Sequence, residues 1–315
     1  MTFTEIDGQT VYFTSSEDLS ATPIPEKSVK LFMTSPPYWN LKDYGHPNEI
    51  GQEDYSSYLE RMNRVWQECY RLGAPDSVLI INVANRRYKR RFYHIAMDIA
   101  SRMEGWQLWD HVLWYIPNAL PQSSHYMERL LDSKYENLLI FTKDGSTDYE
   151  FHKPRVPQKN ATVDQATRPG KNNPAGRCIG NIIRIPAYRP RNIKELGYHV
   201  AAYPEELVAF MLQCYTSEGD AVLDPFAGSG TTLKVARGMN RRGIGIEINT
   251  DYRPLIEKRI QEPFELPDWK NLDILHSASM GIVKKKPRKL IHQPTDTQSH
   301  TLLTAEEILP PKIQQ

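Results

Sequence analysis

The chain has 315 residues, 40% hydrophobic side chains and a formal net charge of +1, enough for one large α/β domain with insertions or for two smaller domains. No stretch approaches the ~20 consecutive apolar residues of a membrane span, and Met1-Thr2-Phe3-Thr4-Glu5 lacks the basic-then-apolar pattern of a secretory leader, so a cytoplasmic protein is expected. Cys69, Cys178 and Cys214 have neither metal-type nor redox-type spacing, which argues for reduced structural thiols and against a disulfide framework or a zinc site.

Val11-Tyr12-Phe13 and Val29-Lys30-Leu31-Phe32-Met33 are short β-rich runs, the second leading into the turn Thr34-Ser35-Pro36-Pro37-Tyr38-Trp39. Over 54–72, Leu59, Met62, Val65, Trp66, Cys69 and Leu72 recur near the helical period and predict a helix packed on a sheet. Ser77 to Val83 reads as a buried strand, followed by a basic loop from Asn85 to Arg91 and a helix over about 92–103. Strand, helix, strand implies a parallel sheet. Leu108–Tyr115 and Asn137–Thr142 are further strands, joined by a long connection through Pro117-Asn118-Ala119-Leu120-Pro121-Gln122-Ser123, and long connections in compact domains are commonly functional.

Residues 144–198 are polar, rich in Pro, Gly and Asn, and weakly periodic, which marks an insertion that carries recognition. Between 151 and 200 ten basic residues face only Asp164 and Glu195, a local excess suited to neutralising phosphates despite the near-neutral chain. Helical pattern returns at Pro204-Glu205-Glu206, with strands at Ala221-Val222-Leu223 and Gly243-Ile244-Gly245-Ile246. After about 263 the chain is polar, contains Lys284-Lys285-Lys286-Pro287-Arg288-Lys289, and is expected to be a partly disordered tail.

A second informative string is Asp224-Pro225-Phe226-Ala227-Gly228-Ser229-Gly230-Thr231-Thr232. A strand ending in an acid, a glycine turn and a helix together bring backbone close to a nucleotide cofactor. The third glycine of the dinucleotide fingerprint is missing, which disfavours a nicotinamide dehydrogenase. One strand later Glu247 stands where an acid can accept hydrogen bonds from both ribose hydroxyls.

With the Ser-Pro-Pro-Tyr turn before the glycine loop, the chain resembles the beta-class amino-methyltransferases of DNA over roughly residues 10 to 260. The resemblance implies a circularly permuted Rossmann-like α/β fold with a mainly parallel sheet, helices on both faces and an inserted target-recognition region. It divides the chain into a catalytic half (1–143), a recognition insertion (144–198), a cofactor half (199–262) and a tail (263–315). S-adenosylmethionine is the implied cofactor. The string from Asp224 to Thr232 would wrap its methionine part, Glu247 its ribose, and Tyr203 with Pro204 would line the methionine side. Where the family has Gly-Asp-Ser near the adenine, this chain has Thr14-Ser15-Ser16-Glu17-Asp18, leaving Ser15 or Asp18 to replace the acid. Substitution of Asp224 by Ala, or of Gly228 by Val, is expected to weaken cofactor binding and spare the fold.

An exocyclic base amine is a poor nucleophile because its lone pair is delocalised into the ring. The Ser35 hydroxyl and the Pro36 carbonyl would accept its hydrogens, Pro36-Pro37 would stiffen the turn, and transfer would be a direct in-line displacement that needs no metal. The base must be flipped out of the duplex, with Tyr38 as the stacking wall and Trp39 beside it. Trp39, Asn118, Lys171, Arg177 and Arg184 are the candidate DNA contacts, with Gln165, Asn172 and Asn173 able to read base edges. Ile116 replaces a family lysine, which removes one contact. Ser before Pro-Pro-Tyr resembles the cytosine-N4 enzymes rather than the adenine-N6 group. Adenine N6, an RNA or protein substrate, and a silent DNA-binding module remain as alternatives. The expected partner is double-stranded DNA with a short recognition sequence, in a restriction-modification or self-marking system where a cognate restriction endonuclease is a candidate partner, for a monomer or a homodimer.

Overall fold

The computed structural model describes residues 2–41, 45–122, 129–156, 177–188 and 203–267. The strands are β1 (Thr2–Ile6), β2 (Gln9–Phe13), β3 (Val29–Thr34), β4 (Gly73–Val83), β5 (Arg86–Tyr88), β6 (Arg91–Tyr93), β7 (Trp106–Tyr115), β8 (Tyr135–Lys143), β9 (Arg155–Val156), β10 (Arg177–Cys178), β11 (Ile182–Arg184), β12 (Ala221–Asp224) and β13 (Arg242–Glu247). The helices are α1 (Tyr55–Leu72), α2 (Ile95–Ala100), α3 (Glu205–Tyr215), α4 (Thr231–Gly238) and α5 (Arg253–Gln261).

Nine strands form one sheet in the order β1-β2-β13-β12-β3-β4-β8-β7-β11. Pairing is parallel from β2 through β13, β12 and β3 to β4, and again between β7 and β11, whereas β8 runs antiparallel to both neighbours. A sheet buried on both faces has continuous apolar strands, and Val78 to Val83 in β4 is buried throughout. One face is covered by α1 and α2, where Met62, Val65, Trp66 and Ile95 pack with Phe32 and Leu79; the other carries α3, where Leu207, Val208 and Met211 pack with Leu31 and Ile80. This is the Rossmann-like arrangement expected from the resemblance, with the catalytic strand β3 hydrogen-bonded beside the cofactor strand β12.

Helix α1 begins where Asp54 accepts bonds from Ser56 N and Ser57 N at 3.1 and 3.2 Å, satisfying two of the free N–H groups of its first turn. Cys69 and Cys214 are buried free thiols. Among the described residues no helix is long and apolar enough to cross a membrane.

Three local expectations change. The helix over 92–103 is shorter, Ile95–Ala100, and the basic loop before it is a β-hairpin, β5 paired with β6. Its two-residue turn places Lys89 and Arg90 at φ of 46° and 64°, left-handed backbone that Asn-Gly adopts most readily. Pro204 is not inside the first turn of α3 but is its N-cap, with its carbonyl accepting from Leu207 N at 3.1 Å. The polar tail lies outside the described residues from 268 onward.

Candidate active site

The parallel strands β3, β12 and β13 end side by side, at Thr34, Asp224 and Glu247, the edge of an α/β sheet where ligands gather. Asp224 is 2% exposed and accepts four hydrogen bonds. Thr34 Oγ1 (2.7 Å) and Phe226 N (3.0 Å) donate to Oδ1; Thr232 Oγ1 (2.6 Å) and Tyr203 OH (3.0 Å) donate to Oδ2. Burial pushes its carboxyl above the usual range, and these donors pull it back. Asp224 therefore pins the start of the catalytic turn, the glycine loop and the approach to α3 to one another. Its lone pairs are engaged within the protein while it also borders the cavity above, so its loss is expected to cost the fold as well as the cofactor site.

A cavity opens above this knot, lined by the loop from Pro225 to Ser229, by Thr231, and by Glu247 and Asn249 from the end of β13. Gly228 has φ +52°, and a Cβ there would meet protein only at Phe226 O, 3.8 Å away, so the room beside it belongs to the cavity. Glu247 is 9% exposed; Oε2 accepts from Gly228 N and Oε1 from Asn249 N, both at 2.9 Å. Burial pushes this carboxyl up to about 7 against those backbone bonds. An acid held at the cavity wall, a backbone loop with no side chain at Gly228, and apolar cover from Phe226 and Ile50 fit a nucleoside cofactor with free ribose hydroxyls.

Not every residue of the glycine string faces this cavity. Gly230, at φ +83°, packs against Ile256, where a Cβ would come within 3.2 Å, and Thr232 turns inward to Asp224 and Tyr203. Pro204 does not line the cavity either, because its place is the helix cap. Of the two replacements for the missing adenine acid, Ser15 lines the cavity. Asp18 is exposed and caps Ser20 N at 3.0 Å. The loop segment Asn48-Glu49-Ile50 forms another part of the wall, fixed by Arg61, whose guanidinium donates to Glu49 O and Asn48 O at 2.8 and 2.9 Å.

A second, wider groove lies beyond Ser35, lined by Pro36, Tyr38, Asn82 and Glu136 at its floor. Ser35 and Tyr203 line both spaces. On the floor, Tyr38 OH donates to Glu136 Oε2 at 2.7 Å and lies 3.1 Å from Ser35 Oγ. Asn82 Nδ2 donates to Glu136 Oε2 at 2.7 Å and to Tyr38 OH at 3.1 Å. The single phenolic proton is directed to Glu136, so Ser35 donates to Tyr38, accepts from Asn82 Nδ2 at 3.4 Å, and keeps one lone pair for an incoming N–H. Burial pushes the Glu136 carboxyl above the usual carboxylate range, with the Tyr38 and Asn82 bonds opposing it. Glu136 on β8 and Asn82 on β4 were not found by motif, and no local sequence signal marks them.

Comparison with known proteins fits this geometry. The profile of the N6/N4 DNA methylase family matches residues 29–258, a span holding both the catalytic turn and the cofactor loop. The chain belongs to that family. This methylase is 31% identical over 270 residues to the type II methyltransferase M.XycI of Xanthomonas campestris pv. cyanopsidis, covering 76% of this chain and 83% of that one. It is 29% identical over 242 residues to M.HpaI of Haemophilus parainfluenzae, covering 76% and 71%. Among solved structures, a putative DNA modification methylase of Thermus thermophilus, complexed with S-adenosyl-L-methionine, aligns with TM-score 0.53 and 25% identity over 79% of this chain and 92% of that one. The PvuII DNA methyltransferase, cytosine-N4-specific, has TM-score 0.60 at 22% identity over 82% and 88%, a likeness of fold.

The expected DNA contacts of the methylase divide three ways. Trp39 is corrected: it is 6% exposed, its Nε1 donates to Glu53 O at 2.8 Å, and its ring sits 4.8, 5.4 and 4.6 Å from those of Tyr55, Tyr88 and Tyr93. It is core, because three tyrosines dispersed in sequence close around it. Asn118 is exposed, and its amide donates to Ala187 O (3.1 Å) and accepts from Ala187 N (2.8 Å), which ties two loops together at the surface. Arg184 is half-buried on β11, beside Tyr115 of β7, and Arg177 lies on β10. Lys171, with Gln165, Asn172 and Asn173, lies outside the described residues.

Proposed function

We propose that this methylase moves a methyl group from S-adenosylmethionine to the exocyclic N4 of a cytosine flipped out of duplex DNA. The observation that carries the reading is the shared wall: Ser35 and Tyr203 line both the cofactor cavity and the groove. A base amine resting on the Ser35 hydroxyl is therefore within reach of a methyl group presented from the other side. S-adenosylmethionine, when bound, supplies that methyl on a sulfonium with a neutral thioether as leaving group. Glu247 holds the ribose, and the Pro225–Ser229 backbone follows the rest of the cofactor.

On the groove side, the Tyr38 hydroxyl is tethered to Glu136, which fixes the ring as a wall for an extruded base, and a flipped base needs such a wall to replace lost stacking. Ser35 and the Pro36 carbonyl accept hydrogen bonds from the two amine N–H groups and draw the nitrogen toward a tetrahedral geometry that frees its lone pair; as the N–CH3 bond forms and the S–CH3 bond breaks, the cationic nitrogen gives up one of these protons to water. Cytosine is favoured over adenine by the serine before Pro-Pro-Tyr, the residue type that resembles the N4 enzymes. The activity test offers methyl-labelled S-adenosylmethionine with unmethylated duplex DNA, RNA and protein in parallel. Label is expected in duplex DNA; label in RNA or protein alone, or in none of the three, contradicts the proposal.

A further inference from the structure

The β5–β6 hairpin is the most basic exposed element near the groove. Within Arg86–Tyr93 five residues are Lys or Arg and none is acidic. Lys89, Arg90, Arg91 and Phe92 are exposed, Phe92 at 55%. Pairing sets Arg86 opposite Tyr93, Arg87 opposite Phe92 and Tyr88 opposite Arg91. Side chains alternate along a strand, so Tyr88 and Tyr93 share one face of the hairpin while Arg87 and Phe92 share the other. The tyrosine face packs on Trp39, and Arg86 Nη2 donates to Asn40 O at 2.8 Å. Trp39 and Asn40 directly follow the Ser-Pro-Pro-Tyr turn, so the hairpin is fastened to the catalytic turn itself. Its outer part, including Arg87, Lys89, Arg90 and Phe92, lines the same groove as Ser35 and Tyr38.

The tip carries a second observation. Its turn holds Lys89 and Arg90 in left-handed backbone, where Asn-Gly would be at ease and long cationic side chains are not. Lys89 Nζ and the Arg91 guanidinium are 5.2 Å from the Tyr88 and Tyr93 ring centres, which draws the charges along the hairpin toward its base. What the two turn residues add over Asn-Gly is two exposed positive charges at the turn of the hairpin.

We propose that this hairpin is a phosphate clamp. Its tip, Lys89 and Arg90, grips the sugar-phosphate backbone of duplex DNA beside the entrance to the target groove, and Trp39 with Asn40 keeps that grip in register with the catalytic turn. The inference rests on the proposed action on duplex DNA and names an element that holds the substrate, separate from the expected recognition insertion. Phosphate contacts of this kind position the duplex and carry no sequence information.

The test replaces the turn by the pair its backbone prefers, Lys89→Asn with Arg90→Gly, which removes two charges while relaxing the turn. The double variant should melt at or above the wild-type temperature and bind S-adenosylmethionine as the wild type does. Each phosphate contact contributes a salt slope of about 0.9, so the slope of log K against log salt should fall by about 1.8, and affinity for duplex DNA at ~0.1 M salt should fall roughly 60-fold. Turnover at saturating DNA should be retained. A double variant with wild-type DNA affinity and salt slope, beside a wild type that binds and methylates DNA, overturns the clamp alone. A wild type that leaves duplex DNA unbound overturns both the clamp and the proposed function.

Discussion

Removing the Asp224 side chain should unfold the site before it weakens the cofactor. Asp224→Ala strips the acceptor from four donors at once: Thr34, Thr232, Tyr203 and the Phe226 N–H. An unsatisfied buried polar group costs about 1–3 kcal/mol. Released from Asp224, the adjacent Tyr203 and Thr232 hydroxyls can hydrogen-bond to each other, so the cost falls mainly on Thr34, the Phe226 N–H and the small void left behind. The expected loss is about 3–4 kcal/mol, which in a domain of this size lowers the melting temperature by roughly 10 °C. Asp224→Asn keeps Oδ1 for Thr34 and Phe226 and offers an amide that the two hydroxyls can accept, so it should cost about 1 kcal/mol. Thermal and urea unfolding of both variants, without cofactor, decides the matter. An alanine variant that melts within a degree of the wild type would refute the pinning role and return Asp224 to a direct cofactor contact.

Three further outcomes follow from the site. Glu247 has its folded carboxyl raised to about 7, so it is protonated in the free protein below that pH; ribose hydroxyls need the ionised form as acceptor. Affinity for S-adenosylmethionine should therefore rise up to about tenfold per pH unit toward pH 7 and level off above it, by calorimetry, and Glu247→Gln should flatten the profile; a flat wild-type profile contradicts the assignment. Ser35→Ala and Tyr38→Ala should keep cofactor and DNA binding yet lose methyl transfer by about 100-fold or more, and Glu136→Gln should lower turnover while leaving cofactor affinity unchanged; near wild-type single-turnover rates would remove each residue from its role. Trp39→Ala should destabilise the fold by about 3–5 kcal/mol, read by denaturant unfolding, whereas a stable variant with weakened DNA binding would restore Trp39 as a surface contact.

Much of the site was legible because its chemistry sits on consecutive residues. A buried strand running into Ser35-Pro36-Pro37-Tyr38, and a strand ending at Asp224 before two glycines, declare a strand-to-loop exit and a close backbone approach. Glu247 was legible by the length of one helix and one strand. What escaped depends on register between distant strands. Asn82 pairs with Leu138, near Glu136, and only that antiparallel alignment of β4 with β8 delivers the amide and the carboxyl to the same phenol. The hairpin escaped because its turn lacks the residues its backbone favours. Trp39 was misread because nothing adjacent in sequence says that Tyr55, Tyr88 and Tyr93 will enclose it. An acid at a strand end looks like a ligand contact, and only the positions of Thr34, Tyr203 and Thr232 reveal that its partners are internal.

The most direct measurement is mass spectrometry of nucleosides from unmethylated duplex DNA incubated with the protein and S-adenosylmethionine carrying a labelled methyl group. The account predicts labelled N4-methyl-2′-deoxycytidine, abolished in Ser35→Ala. Labelled N6-methyl-2′-deoxyadenosine without the cytidine product would contradict the choice of base and leave the amine chemistry standing. Absence of any labelled amino-methylated nucleoside would contradict the account as a whole.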